Sequence, residues 1–274
     1  MSNTQRWLTP DIKGFILDIS GVLYNSSGSE GGEPVEGSIE AVQLLRQNKV
    51  PFRCCSNEST ASCEHLCKKL GRIGFDIRPE EVICPAPVAY SLLRERNLRP
   101  YLLVKDEVLS EFDGLNTTNP NCVVMGDAQD KFSYENLNRA FSVLINSPKP
   151  VLISMGCGRY YKETDGMKID VGAYAKGLEY AAGIKAEYLG KPNPSFFGLA
   201  VELLKLKPSD CVMIGDDILN DVGGSQKAGL KGVLVRSGKY RKDDEKRPDV
   251  EPDGVVDNLL DAVKQYLNFK ATSA

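Results

Sequence analysis

The sequence predicts an α/β fold: a doubly wound parallel sheet with a second α/β domain inserted into it. Three observations carry this expectation. Short apolar, β-prone runs alternate along the chain with stretches of helical periodicity, the pattern of parallel strands linked through helices. Several of those runs end on small polar or acidic residues, as strands do at the ligand-binding edge of an open α/β sheet. The series is punctuated at Pro85-Ala86-Pro87, continues as a second α/β series, and resumes its first character near Lys191.

The elements follow in order. Phe15-Ile16-Leu17 is an apolar run that reads as a buried strand and ends on Asp18. Residues 26–37, rich in Gly, Ser and Glu, read as a flexible loop beside that strand end. Ile39, Val42, Leu44 and Leu45 mark a helix, residues 51–55 a second strand ending on Ser56-Asn57, and Ala61, Leu66, Leu70 and Ile73 a helix stopped by Gly74. Pro85-Ala86-Pro87 reads as a break and a hinge. Beyond it, residues 101–104, 122–125 and 151–154 are expected strands, and 134–145 and 171–182 expected helices. A β-prone piece at 186–189 leads back to Lys191. Then come a helix at 194–204, a strand at 211–214 ending on Gly215-Asp216-Asp217, a helix near Asp221, strands at 232–235 and 254–256, and a closing helix at 259–267. Residues 236–249 are densely charged, and the default meaning of such a run is a solvated loop.

Composition narrows the function classes. The chain has 274 residues, enough for two domains, with 42% hydrophobic and 26% charged residues, ordinary values for a soluble globular protein. A net charge of −3 argues against a nucleic-acid partner. No apolar run is long enough to span a bilayer, and residues 1–10 lack the apolar region of a signal peptide. The expectation is a cytoplasmic protein with no membrane partner, with nuclear entry by diffusion and unconventional export as open alternatives. Eight cysteines form no Cys-x-x-Cys pair, and reduced thiols are expected. His65 is the only histidine and reads as a helix-face residue, so histidine-based catalysis and two-histidine metal sites are nearly excluded.

The chemistry begins at Asp18-Ile19-Ser20-Gly21-Val22-Leu23-Tyr24. A carboxylate at the end of a buried strand is a nucleophile, a metal ligand or a solvated strand end, and this segment alone does not choose. Three later segments favour chemistry: Ser56-Asn57 after the second strand, Lys191 in Gly190-Lys191-Pro192-Asn193-Pro194, and Gly215-Asp216-Asp217 with Asp221. A carboxylate, a hydroxyl, a lysine and an acidic pair are the parts of phosphoryl transfer through an aspartyl-phosphate: nucleophile, phosphate donors, a cation, and carboxylates to hold Mg2+.

With Ser56-Asn57-Glu58-Ser59, Asn119-Pro120-Asn121-Cys122-Val123-Val124, Gly158-Arg159-Tyr160-Tyr161-Lys162-Glu163-Thr164 and Ile214-Gly215-Asp216-Asp217-Ile218, the chain resembles the haloacid-dehalogenase-type phosphatases, in the branch with a large α/β cap. The resemblance runs over essentially the whole chain. It implies a Rossmann-like core from residues 1–85 and 188–274 and a cap from residues 86–187. It implies Asp18, Ser20 and Lys191 as the catalytic set. The phosphoryl group would be held by Asp18, Ile19, Ser20, Ser56, Asn57 and Lys191, and Mg2+ by Asp18, the main-chain carbonyl of Ser20, and Asp216. Asp217 and Asp221 would orient ligands or waters. Glu58 is one candidate for activating water. The cap segment 156–166, with Tyr160, Tyr161 and Lys162, would read the leaving group, and a cap-mediated homodimer is the assembly the resemblance suggests.

One position departs from the family pattern. Most of these phosphatases carry a second Asp two residues after the nucleophile, as general acid and then base; here that residue is Ser20. Serine has no useful pKa near neutrality. Alkyl esters lose a helper, whereas a phosphoramidate nitrogen can leave already protonated, or as neutral imidazole. The absence agrees with the substrates implied by the resemblance: phosphorus–nitrogen compounds (phosphohistidine, phospholysine, imidodiphosphate) and inorganic pyrophosphate, as small molecules or protein side chains. The alternatives are a small-metabolite phosphomonoesterase and a weakly active phosphate-binding pseudoenzyme.

Overall fold

Gly14-Phe15-Ile16-Leu17 contains no polar side chain, and all four residues are buried. A strand apolar on both faces belongs in the interior of a parallel sheet covered on both sides. That is its place in the computed structural model, which describes residues 5–27, 31–163 and 166–273. The chain divides into two compact units: Met1–Ser56 with Cys67–Ile83 and Lys191–Ala274, and Asn57–Leu66 with Cys84–Gly190.

The first unit is built on six parallel strands: β1 (Gly14–Leu17), β2 (Phe52–Cys55), β3 (Val82–Ile83), β4 (Cys211–Gly215), β5 (Lys231–Val235) and β6 (Gly254–Val256). Their spatial order is β3-β2-β1-β4-β5-β6. This is the doubly wound order, and it reverses between β1 and β4, where such sheets bind ligands. The register aligns Leu17 with Ile214 on one side and with Cys54 on the other. Asp18, Gly215-Asp216 and Cys55-Ser56 therefore leave the sheet side by side at one edge. Phe15 anchors the other end of β1, packing edge-on against Trp7 at 6.3 Å and Tyr266 at 5.0 Å.

The second unit has its own four-stranded parallel sheet, ordered Glu187–Tyr188, Leu152–Ser154, Cys122–Met125, Pro100–Leu103. Along its third strand the side chains alternate between two clusters: Cys122 and Val124 pack with Leu93 and Ile153, Val123 and Met125 with Leu144 and Leu152. Two-sided burial explains why the run reads as continuously apolar. The sequence boundaries, 1–85 with 188–274 against 86–187, differ from this division by two or three residues at the junctions (84–85 and 188–190) and in giving Asn57–Leu66 to the core. The bonding of that segment explains the difference: Ser59 Oγ accepts from the Asp127 amide at 3.0 Å, and the Cys63 amide donates to Glu111 Oε1 at 2.7 Å.

Other expectations are corrected. Residues 26–37 contain most of an antiparallel hairpin, Tyr24–Ser27 against Gly31–Pro34, with residues 28–30 outside the described part. Glycine permits it: a Cβ on Gly32 would lie against the Tyr24 ring. Pro85-Ala86-Pro87 opens a helix, Pro85–Glu95, rather than breaking the chain. Proline fits a first helical turn because its missing N–H would have no partner there. The segment 156–166 contributes a strand, Tyr160–Glu163, paired antiparallel with Gly166–Ile169. Thr164, Asp165 and the side chain of Lys162 lie outside the described residues. Among the described residues, no helix is long and apolar enough to cross a membrane.

Candidate active site

Asp18 takes the last hydrogen bond of β1, its amide donating to Ile214 O at 2.9 Å, and the residue is 6% exposed. The chain then turns at once. Asp18 Oδ1 accepts from the Ile19 amide at 2.7 Å, Ser20 bridges to Tyr24, and Gly21 adopts φ +85°. Ser20 is exposed and Ile19 buried. On the neighbouring strand, Ser56 is buried and its amide donates to Ile83 O at 3.0 Å. Cys55, beside Asp18 in the register, is no rival nucleophile, because burial pushes its thiol up to about 12.

Lys191 is 3% exposed and lies between two carboxylates, its Nζ 2.5 Å from Asp18 Oδ1 and 2.8 Å from Asp221 Oδ1. Its peptide bond to Pro192 is cis. The helix Pro194–Leu204 follows, capped by Asn193, whose side chain accepts from the Ser195 amide at 3.1 Å. Burial alone would lower the Lys191 pKa; Asp18 and Asp221 outweigh it and hold the ammonium above its ordinary value.

After β4 the chain passes Asp216 and Asp217 and forms a π-helical turn, Ile218–Gly223, in place of the expected regular helix start. Such turns recur at functional sites. The turn folds Asp221 back under the strand end, where a Cβ on Gly215 would collide with its carboxylate. Asp221 is fully buried, and its Oδ2 accepts from the Asp217 amide at 3.1 Å. Asp217 is bound into the turn, accepting from the amides of Leu219 and Asn220, both at 2.9 Å, and pairing with Lys239 Nζ at 3.1 Å. Asp216 Oδ2 accepts from the Lys239 backbone amide at 2.8 Å, while Asp216 Oδ1 is buried with no hydrogen-bond partner.

Oxygens of Asp18, Asp216 and Asp221 lie within 4.8 Å of one another. Three buried carboxylates outnumber the one buried cation among them, Lys191. The hard oxygen donors and the unpartnered Asp216 Oδ1 fit a divalent cation such as Mg2+.

The same crowding shows in the carboxyl pKa values. Burial pushes Asp216 up to about 6, and burial with the charge of Asp18 pushes Asp221 up to about 7. Between about pH 4 and those values the folded protein keeps protons that the unfolded chain has released. Their stabilising contribution is therefore full below about pH 4 and is lost as pH rises through about 6 to 7. For Asp217 burial is outweighed by Lys239 and the turn amides, so it sits below its ordinary value; its contribution is lost only on acidification below about pH 4. In excess chelator, Tm is expected to fall between about pH 5 and pH 8, and to fall less in Asp221→Asn. Equal pH slopes for the two proteins in calorimetric melts would contradict this.

The structure thus brings together Asp18, Lys191, Asp216 and Asp221, with Ile19, Ser20 and Ser56 at the same sheet edge. Asp221, expected only to orient ligands, stands in the carboxylate group itself, whereas Asp217 serves the turn. Asn57 begins the second unit, where its side chain fills the space a Cβ on Gly190 would need. The sequence reading missed Ser237-Gly238-Lys239, taken as part of a solvated loop. The available signal was position: these residues follow β5, at the carboxyl edge that also supplies Asp18 and Asp216.

Residues 15–118 match the haloacid dehalogenase-like hydrolase family, and residues 188–262 match a second HAD-hydrolase-like family. The chain belongs to the haloacid dehalogenase-like hydrolases, as its motifs suggest, and is an enzyme of that class. Within it, the chain is 55% identical to the phospholysine phosphohistidine inorganic pyrophosphate phosphatase of Xenopus laevis, over 92% of this chain and 93% of that protein. It is 54% identical to the human protein of the same name, over 93% and 94%. Human haloacid dehalogenase-like hydrolase domain-containing protein 2 is 38% identical over 93% of this chain and 96% of its own length. Among solved structures, a 4-nitrophenylphosphatase from Thermotoga maritima superposes with a TM-score of 0.84 at 25% identity, covering 93% of this chain and 98% of that one. NagD from E. coli K-12, at 21% identity and a TM-score of 0.79 over 91% and 97%, shares the fold.

Proposed function

We propose that this enzyme is a Mg2+-dependent phosphatase that hydrolyses phosphorus–nitrogen bonds and inorganic pyrophosphate through an aspartyl-phosphate on Asp18. The observation that carries this reading is the buried Asp18, paired with Lys191 beside Asp216 and Asp221, with a serine where a general acid would stand. The names of the Xenopus and human relatives support the substrate class.

A carboxylate oxygen of Asp18 attacks phosphorus. The phosphorus–nitrogen bond breaks with its electron pair staying on nitrogen; the substrate nitrogen or ring is already protonated, so it leaves as a neutral amine or imidazole, and with pyrophosphate the leaving group is phosphate. Lys191 keeps its proton throughout and balances charge on Asp18 and on the phosphoryl oxygens. Ser56 donates to those oxygens from the adjacent strand end, where charge builds up as the bond breaks. Water then attacks phosphorus, releasing phosphate and regenerating the Asp18 carboxylate. Mg2+, held by Asp18, Asp216 and the Ser20 carbonyl with Asp221 alongside, would offset repulsion between the carboxylate and the anionic substrate.

A phosphomonoesterase is the second reading, favoured by the likeness to the 4-nitrophenylphosphatase. One experiment separates them: kcat/KM for imidodiphosphate, phosphohistidine, phospholysine, pyrophosphate and sugar phosphates, with Mg2+ and in excess chelator, on wild type and Ser20→Asp. Phosphorus–nitrogen substrates and pyrophosphate are expected to lead in wild type, and all turnover to stop in chelator. Ser20→Asp supplies an acid worth roughly 10²–10⁴-fold on a poor leaving group. The ester-to-phosphoramidate ratio should therefore rise even if absolute rates drop. Sugar phosphates leading in wild type, or an unchanged ratio in a folded variant, would count against the proposed specificity.

A further inference from the structure

We propose that Ser237-Gly238-Lys239 is the positioning device for Asp216, fixing one oxygen of that carboxylate so that the other is left for a divalent cation; this rests on the metal-dependent reading above. The Lys239 backbone amide donates to Asp216 Oδ2 at 2.8 Å. That bond commits one oxygen and leaves Oδ1 buried without a hydrogen bond, an arrangement that is unfavourable unless a ligand completes it. Lys239 Nζ does not complete it, standing 4.0 Å from Oδ1 and pairing with Asp217 at 3.1 Å instead.

Two features hold the segment in place. Ser237 Oγ donates to Gly21 O at 2.6 Å, tying the loop after β5 to the loop that follows Asp18. Gly21 and Gly238, at φ +85° and +62°, meet back to back over the same carboxylate. A Cβ on either would run into Asp216, and a Cβ on Gly238 would lie 2.6 Å from the Gly21 Cα. Absence of side chains at both positions lets the main chain close on Asp216 from two sides. Residues that hold metal ligands in this way tune affinity by about 10–100-fold when removed.

The test is binding of Mn2+ alone, followed by the electron paramagnetic resonance signal of free Mn2+, with circular dichroism as the check of folding. Ser237→Ala should weaken Mn2+ binding by about 10–100-fold. Ser237→Thr, which keeps the hydroxyl, should restore wild-type affinity. Lys239→Met keeps the backbone amide and removes only a cation, so it should bind Mn2+ at least as tightly as wild type. Gly238→Ala, if folded, should bind more weakly than Ser237→Ala. Ser237→Ala binding within twofold of wild type would overturn the positioning role and leave the carboxylate site standing. Wild type that binds no Mn2+ would overturn the metal-dependent reading and this proposal with it.

Discussion

Asp18→Asn is expected to lower kcat/KM by several orders of magnitude, roughly 10⁴-fold or more, with the fold retained. The change keeps the shape of the side chain and its bond from the Ile19 amide but removes the carboxylate proposed to attack phosphorus. It also removes a negative charge that helps push Asp221 up, so the buried group left behind is better balanced: Lys191 facing Asp221, with Asp216 nearby. Stability should consequently hold or rise, and phosphate should bind at least as tightly for the same reason. Single-turnover assays with a denaturation curve on the same sample decide the matter. Turnover near wild type would remove the covalent mechanism.

Lys191→Met should act on both activity and stability. In wild type the buried Lys191 places one ammonium between Asp18 and Asp221 at 2.5 and 2.8 Å. Deleting it leaves two facing carboxylates in a buried place, with Asp216 close by. Removing one partner of a buried ion pair destabilises by about 3–5 kcal/mol. Part of that loss should be recovered at low pH, because protonation of Asp221 relieves the repulsion. Urea unfolding at about pH 5 and pH 8 in chelator tests this. The expected result is a larger loss at the higher pH, and a loss under about 1 kcal/mol at both would show that the lysine is not structurally coupled to the carboxylates.

Much of this site was legible because its chemistry sits where parallel strands end. Phe15-Ile16-Leu17 ending on Asp18, and Cys211 to Ile214 leading to Gly215-Asp216, each pair a buried apolar run with an abrupt carboxylate. In an open α/β sheet that placement carries meaning without knowledge of the third dimension. Lys191 was found through its pinned backbone and the resemblance together. What escaped were features set by tertiary packing. Asp221 reaches the carboxylate group because a π-turn replaces a regular helical start, and nothing in Ile218-Leu219-Asn220 announces the extra residue. Lys239 sits among Arg236, Arg241, Lys242 and Asp243, whose charges face solvent, so local composition hid the one amide that holds Asp216. The hairpin at Tyr24–Ser27 escaped because glycine beneath a tyrosine ring reads as looseness in sequence and as close packing in space.

The pairing of β1 with β4 has a consequence for biosynthesis. The contact that starts this ladder, Lys13 with Asp210, joins residues 197 positions apart. Until Cys211 to Gly215 leave the ribosome, one side of β1 has no partner, and four consecutive apolar or glycine residues stay open to wrong pairings. At about 5–20 residues per second that interval is roughly 10–40 s. Lys191, Asp216 and Asp221 arrive in the same final stretch, so the Asp18 carboxylate is made first and the groups that surround its charge come last.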